Sequence, residues 1–388
     1  VYKLKAFVQK GNRIEIPAGL FKHNTKAQKF VQTFRDMNIS TVPVDLFANN
    51  PEVTSFNGLF TGCTELETVP ADLFANNQKV TDFKWLFYAT DVKNLPVGLF
   101  KHCTPNKSIQ INQMFQNAII EDFPDGFFEG LDGVTNLAEL FESAIFMKPL
   151  KGGMFKGLVK ANQAYQTFYM SNVSELPADL FEGMGTNATS ITFSKTFFGC
   201  KNLTEIPSGL LDPVASKLTS IANCFQNCTS LKSIPEGFGN SATMLTNVSN
   251  AFYGCTSLES LPSEMFRGAS AKLNNCNSMF WGCSALKSVP DGLFSFITAR
   301  NASFSYCFAN CSSLQKVGAE VFPTTVSSTG LNNVFQFCTS LTDISADVFA
   351  KCAAVTTMSY TFKGCTALKT VPSGLFSKMI KVTNFDSI

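Results

Sequence analysis

One phrase, roughly Ile/Val/Leu-Pro-x-Gly/Asp-Leu-Phe, returns through the whole chain and restricts what it can fold into. It reads Ile16-Pro17-Ala18-Gly19-Leu20-Phe21, then Val42-Pro43-Val44-Asp45-Leu46-Phe47, then Val69-Pro70-Ala71-Asp72-Leu73-Phe74. Later copies end at Phe100, Phe128, Phe181, Leu211, Phe238, Phe266, Phe294 and Phe376, with degenerate ones at Pro149–Phe155, Val317–Phe322 and Ile344–Phe349. The spacing is about 27 residues, and a fixed period of that size means that each copy buries its apolar face against its neighbours. The expected architecture is a solenoid. At 388 residues the length alone would suggest more than one domain, but an unbroken period points to a single array over 1–388.

A second signature lies between the Pro phrases, as in Val53-Thr54-Ser55-Phe56-Asn57-Gly58-Leu59-Phe60-Thr61-Gly62-Cys63. Its last Phe forms a column through Phe34, Phe60, Phe87, Phe115, Phe141, Phe168, Phe197, Phe225, Phe252, Phe280, Phe308, Phe335 and Phe362. Three residues earlier stand Asn57, Asn112, Ser194, Ser249, Asn277, Ser305, Asn332 and Ser359, which suit the N-cap of a one-turn helix carrying the Phe inward. The stretch before each Pro, such as Leu231-Lys232-Ser233-Ile234 or Leu286-Lys287-Ser288-Val289, reads as a short strand, because a residue before Pro is driven to extended geometry. The Gly/Asp-Leu-Phe that follows reads as a tight turn or a single helical turn. Stacked copies would pair their strands in a parallel sheet at about 4.8 Å per rung.

The ends carry partial copies. Phe7 already stands in a repeat column, and Val382-Thr383-Asn384-Phe385 begins a copy that is not completed. The chain opens on Val1-Tyr2-Lys3 without methionine or signal-segment pattern, so either a signal segment has been removed or the chain starts inside a longer protein. The partial copies favour the second, with both ends expected to be cut within or next to the array.

The net charge of +2, with 15% charged residues, offers no field for nucleic acid or an anionic membrane. No apolar run reaches the ~18 residues of a membrane span. Thirteen cysteines cannot all pair within one chain. A column of them follows the Phe by three residues: Cys63, Cys200, Cys228, Cys255, Cys283, Cys311, Cys338 and Cys365, replaced elsewhere by Thr90, Ala118, Ala144 or Ser171. Such a column selects small volume rather than sulfur chemistry, and it predicts a ladder of buried thiols. No Cys-x-x-Cys occurs, so no metal site is expected.

Chemistry is hard to find. His23 and His102 lie about 15 Å apart at rung spacing. His102 adjoins Cys103, yet neighbouring residues point apart and a dyad needs hydrogen-bond reach. Glu121-Asp122 reads as a solvated loop, and nucleotide, hydrolase and metalloprotease motifs are missing. The chain is read as not an enzyme, with no catalytic residue, metal or cofactor. A pocket opened by the irregular copy around 142–165 is the one opening for that view to fail.

Binding is the natural use of a solenoid's repeated faces. One candidate is the strand face, including Glu67, Lys93, Glu121, Asp122, Glu175, Glu205, Lys232, Glu259, Lys287, Lys316, Asp343 and Lys369, acidic before about residue 206 and basic after it. Its simpler reading is an ordinary polar exterior. The other candidate is the position after the column Phe, where Tyr88, Tyr169, Phe198, Tyr253 and Trp281 stand beside Thr61, Gln116, Gln226, Gln336 and Lys363. Aligned exposed rings there would suit a sugar or a protein hot spot. The alternative is that they lie flat over the next turn and complete the core.

The segments Cys228-Thr229-Ser230-Leu231-Lys232-Ser233-Ile234-Pro235 and Phe252-Tyr253-Gly254-Cys255-Thr256-Ser257-Leu258 resemble the BspA-like leucine-rich repeats, and the related repeats of bacterial surface lipoproteins, over essentially the whole chain. Departures are the longer copy, the Pro-Gly/Asp-Leu-Phe insert and the weak copies near Pro149 and Ser345. With the period, the resemblance implies an α/β repeat solenoid, a right-handed leucine-rich-repeat-like array of about 14 units, with short parallel strands and one-turn helices. It further implies an exported, surface-displayed protein of a gut-type anaerobe, anchored by a lipidated N-terminus and adhering to a host or bacterial surface protein or glycan. An anaerobic habitat would reconcile export with unpaired thiols. An intracellular or periplasmic interaction scaffold is the alternative. No binding residue carries over from the resemblance.

Overall fold

A computed structural model describes residues 13–103 and 107–388; Phe7 lies outside them. The chain divides into two compact units, Val1–Ile191 and Thr192–Ile388, both built on the same repeat. Long secondary-structure elements are missing among the described residues. Parallel strands of two residues pair in register in the N-terminal unit, Asp91 with Ile119 and Ile119 with Ile145. In the C-terminal unit Ser288 pairs with Lys316 and Lys316 with Asp343. These are the pre-proline strands that the sequence predicts. A second row of parallel bridges was not anticipated: Lys29, Ser55, Asp82 and Gln110 in one unit, and Ser220, Asn247, Asn275 and Ser303 in the other.

The one-turn helices are corrected. No α-helix occurs among the described residues, and the helical pieces are the 3-10 segments Asp212–Lys217 and Arg267–Ala269. The reason is stereochemical. In each of these repeats the residues two before and two after the column Phe are left-handed: Gly58 and Gly62 at φ +62° and +70°, Asn223 and Asn227 both at +59°. An α-helix of L-residues cannot hold such residues without a cost of roughly 1–2 kcal/mol each. The chain instead makes a run of linked tight turns. Leu59, Thr61 and Cys63 donate their N–H groups three residues back, to Phe56, Gly58 and Phe60, all at 3.1 Å. The alternate N–H groups of Phe56, Gly58, Phe60 and Gly62 donate across to Asp82, Lys84, Leu86 and Tyr88 of the next repeat, at 2.8–3.1 Å. Asn57 N–H donates to Ser55 Oγ at 3.2 Å. Every N–H from 56 to 63 therefore has a partner, as burial demands.

The Asn/Ser column thus does not cap a helix. The cap comes from the residue two earlier: Asn247 Oδ1 accepts from Ser249 N and Asn136 Oδ1 from Ala138 N, both at 2.9 Å. Asn277 and Asn332 use their side chains between repeats, accepting from Ser305 N at 2.9 Å and Ser359 N at 3.1 Å. The Pro phrase is a turn series of the same kind, with Leu46, Ala48 and Asn50 donating to Pro43, Asp45 and Phe47.

Phenylalanine fills the core. Phe60 and Phe87 stack at 5.9 Å and 14°, and Phe225 and Phe252 at 5.5 Å and 3°. The Pro-phrase rings form a second ladder, Phe47 on Phe74 at 6.3 Å, joined to the chain's inner face by Phe47 against Phe56 at 4.7 Å. Buried Asn77 ties successive turns by donating to Phe47 O at 3.3 Å and Asn50 O at 2.8 Å.

Candidate binding groove

The turn run decides which side chains reach solvent. Within each repeat the residues four before, one before, at and three after the column Phe point inward, as Phe56, Leu59, Phe60 and Cys63 do. The residues two before and one after are left on one surface. Tyr88, Tyr169, Phe198, Tyr253 and Trp281 are all half-buried, neither free rings nor core. The structure brings Tyr253 and Trp281 together, face to face at 4.3 Å and 10°. Tyr88 and Tyr169 are not brought together, since the repeats of Gln116 and Glu142 lie between them. Phe198 has the Lys195 ammonium 6.0 Å above its ring.

Tyr88 instead meets a residue that the sequence reading passed over. Trp85, two before Phe87, is held at φ +58° and lines a groove of about 310 Å³ with Tyr88. The amides of Gln32, Gln113 and Gln116 share the lining, and Arg35 and Thr61 complete it. Asn117 Nδ2 donates to the Tyr88 hydroxyl at 3.2 Å, and Thr61 Oγ1 donates to Trp85 O at 3.1 Å. Arg35 pairs with Asp36 at 3.4 Å and donates to Gln32 Oε1 at 3.2 Å, which neutralises its charge locally. Tyr306 and Tyr360 occupy the Trp85 column in the C-terminal unit, both left-handed and exposed. The signal for this column was present, since other repeats carry Gly58, Asn223, Asn250 or Asn333 there, residues suited to positive φ.

The strand strip is paired within itself. Lys93 meets Glu67 at 3.6 Å, Lys148 and Lys151 meet Asp122 at 3.3 and 2.8 Å, and Lys287 meets Glu259 at 2.6 Å. The lysines beside Asp122 hold its carboxyl below the usual range. These charges are answered on neighbouring repeats, in keeping with a polar exterior.

The thiol column is buried, and it does more than fill volume. Cys228, Cys255 and Cys283 donate to the carbonyls of Phe197, Phe225 and Phe252, the column Phe of the preceding repeat, at 3.1–3.2 Å. Thr90 uses its hydroxyl on Phe87 O at 2.7 Å, whereas Ala118 and Ala144 supply volume alone. All thirteen thiols are free.

His102 reaches Asp72 at 3.5 Å, and buried Cys103 is pushed up to about 12 by desolvation, so that pair has no thiolate to offer. The irregular copy does open a hollow, of about 120 Å³, between Phe146–Leu150 and Asn172–Glu175. Its titratable groups are Lys148, committed to Asp122, and Glu175. Among the described residues no helix is long and apolar enough to cross a membrane.

The family model for the BspA type leucine-rich-repeat region matches residues 193–298 and 295–387, in six copies. No curated protein matches the chain. Solved structures resemble it at low identity. A leucine-rich-repeat protein from Bacteroides ovatus is 17% identical over 89% of this chain and 82% of its own, with a TM-score of 0.34. One from Eubacterium ventriosum is 17% identical over the same shares, with a TM-score of 0.37. A Treponema (T. pallidum) leucine-rich-repeat protein is 18% identical over 55% of this chain and 85% of its own, with a TM-score of 0.31. The family match covers 193–387 of 388 residues, half of the chain, and the repeat geometry is that of a leucine-rich-repeat solenoid. The chain belongs to the BspA-type leucine-rich-repeat family.

Proposed function

We propose that this chain is a non-enzymatic binding protein that recognises a protein or glycan through a face built by its repeats, and that it acts in adhesion at a cell surface. The observation that carries the reading is the half-exposed aromatic column beside a groove of mixed ring and amide lining. Rings of this kind supply large contact area at small entropic cost, while amides fix orientation. The test is binding of the whole chain to an array of glycans and matrix proteins, beside a variant with Tyr88, Tyr169, Tyr253 and Trp281 changed to Ala. Selective binding that disappears in a folded variant supports the reading. Binding unchanged by the variant moves the site to the strand face, and no binding at all removes adhesion.

A second reading is an intracellular or periplasmic scaffold, favoured by thirteen free thiols, since unpaired cysteines suit a reducing compartment. Protease shaving of intact source cells separates the two. Loss of the protein from the cells supports surface display, and full protection supports the scaffold.

A further inference from the structure

We propose that the groove between Trp85 and Tyr88 binds a neutral oligosaccharide, with the Trp85 indole standing between two successive sugar sites. The proposal rests on the binding-protein reading above and gives it a ligand class.

The groove crosses four consecutive repeats of the N-terminal unit. The second of these repeats has buried Gly58 in the column that holds Gln32, Trp85 and Gln113 in the others. A Cβ at Gly58 would stand 3.0 Å from Gln32 Cγ and 3.1 Å from Thr61 Oγ1, so any larger residue would displace these two lining side chains. A second hollow, of about 550 Å³, lies on the other side of Gln32 and Trp85, and its lining includes Lys29, Ser55, Asn57, Asp82 and Gln110. The indole is thus a partition with a hollow on each flank.

The repeat imposes positive φ at this column on every rung, and Gln113, Glu139, Lys195 and Tyr360 carry it as Trp85 does, so the backbone does not set Trp85 apart. What does is the place of its ring, between two hollows and beside Tyr88. The lining chemistry then selects the ligand. Ring faces accept the C–H face of a pyranose. Amides both donate and accept, which matches the paired hydroxyls of a sugar. Gln113 Nε2 is committed to Glu139 at 2.5 Å, so its Oε1 serves as an acceptor. Arg35 already faces Asp36, and the second hollow holds one charge of each sign, Lys29 and Asp82, so neither flank offers a net positive field for an anionic sugar. A peptide adding itself as a strand is disfavoured too, because the N–H groups of 56–63 are all committed within the fold.

The test uses the whole chain carrying Trp281→Phe, so that Trp85 is its single tryptophan. Defined neutral oligosaccharides (gluco-, manno-, galacto- and xylo-series) are titrated while its emission is followed. The expected result is a saturable shift with one series. Affinity, read for the variants by isothermal titration calorimetry because Trp85→Ala leaves no tryptophan, should fall at least tenfold in Trp85→Ala and in Gly58→Asn, the latter displacing the lining side chains of Gln32 and Thr61 with a residue that tolerates positive φ. Circular dichroism melting checks that each variant is folded, and Tyr88→Ala is the substitute if Trp85→Ala is not. No shift with any series, or affinity kept in both folded variants, overturns the proposal. Protein ligands from the array lost on Trp85→Ala, with no saccharide bound, would overturn the sugar assignment while leaving the binding-protein reading intact.

Discussion

The indole of Trp281 lies face to face with the phenol ring of Tyr253 on the preceding repeat, their centroids 4.3 Å apart and their planes within 10°. Each ring covers one face of the other, which is why both are half-buried although neither points into the core. Stacked pairs of this kind contribute about 0.5–1.5 kcal/mol beyond the area they bury. A double-mutant cycle of Tyr253→Ala and Trp281→Ala, read by urea unfolding, should return a coupling in that range. Additive effects of the two substitutions would show that the contact adds nothing to stability.

A second relationship joins repeats on the same surface. Phe337 lies over Gly364, where a Cβ would come within 2.3 Å of Cδ1 of the ring. Gly364→Ala should therefore cost both the left-handed penalty, roughly 1 kcal/mol, and the displacement of an aromatic ring. Gly282 has nearly the same φ, but a Cβ there would meet only Gly254 Cα, at 4.0 Å, so Gly282→Ala should cost the backbone term alone. Chemical denaturation of both variants checks the order. Phe337→Ala in the Gly364→Ala background should recover part of the loss.

The repeat, the Phe ladder and the buried thiols were legible because each is a column of one residue type, and burial imposes the same demand at every rung. Cys228 and Phe225 could be placed inside from spacing alone. The turn geometry was harder to see. Its two left-handed positions hold Gly58, Gly62, Asn223 and Asn227 in some repeats but Gln32, Lys195, Trp85 and Tyr360 in others, and these last four carry no turn signature. Read down the columns, the Gly and Asn members would have excluded helical turns. Trp85 was missed because its column mixes Gly58, Asn250, Gln113 and Lys195 with aromatic residues and so shows no single residue type.

The thiol column offers a test of volume against hydrogen bonding. Cys228 Sγ donates to Phe197 O at 3.1 Å, and that carbonyl lies on the preceding repeat. Cys228→Ala keeps the backbone and leaves a small void, at a cost of about 1 kcal/mol. Cys228→Val adds a branch to a fully buried site, and overpacking there should cost about 1–3 kcal/mol. Urea midpoints should fall in the order wild type, Ala, Val. A valine variant as stable as the wild type would mean that the column has spare room.

Burial of these thiols also makes stability fall in alkali. Desolvation pushes Cys63, Cys255 and Cys311 up to about 12 from 9.0. In the unfolded chain the same thiols ionise from about pH 9, so above that pH the unfolded state binds fewer protons than the folded one. Stability is then fully present below pH 9 and is lost as pH rises toward 12, by about 1.4 kcal/mol per pH unit for each such thiol. Cys255→Ala removes one of these titrations, and between pH 9.5 and 11 its stability should decline less steeply by about that amount. Cys365 is the contrasting case: a hydrogen bond from the Cys338 thiol holds it below its ordinary value, and it is the one cysteine that is not fully buried. A thiol-reactive probe at pH 8 should label Cys365 first, with the rest reacting only on unfolding. Uniform labelling of the folded chain would mean that the ladder opens in the native state, and the alkaline slope should then vanish with it.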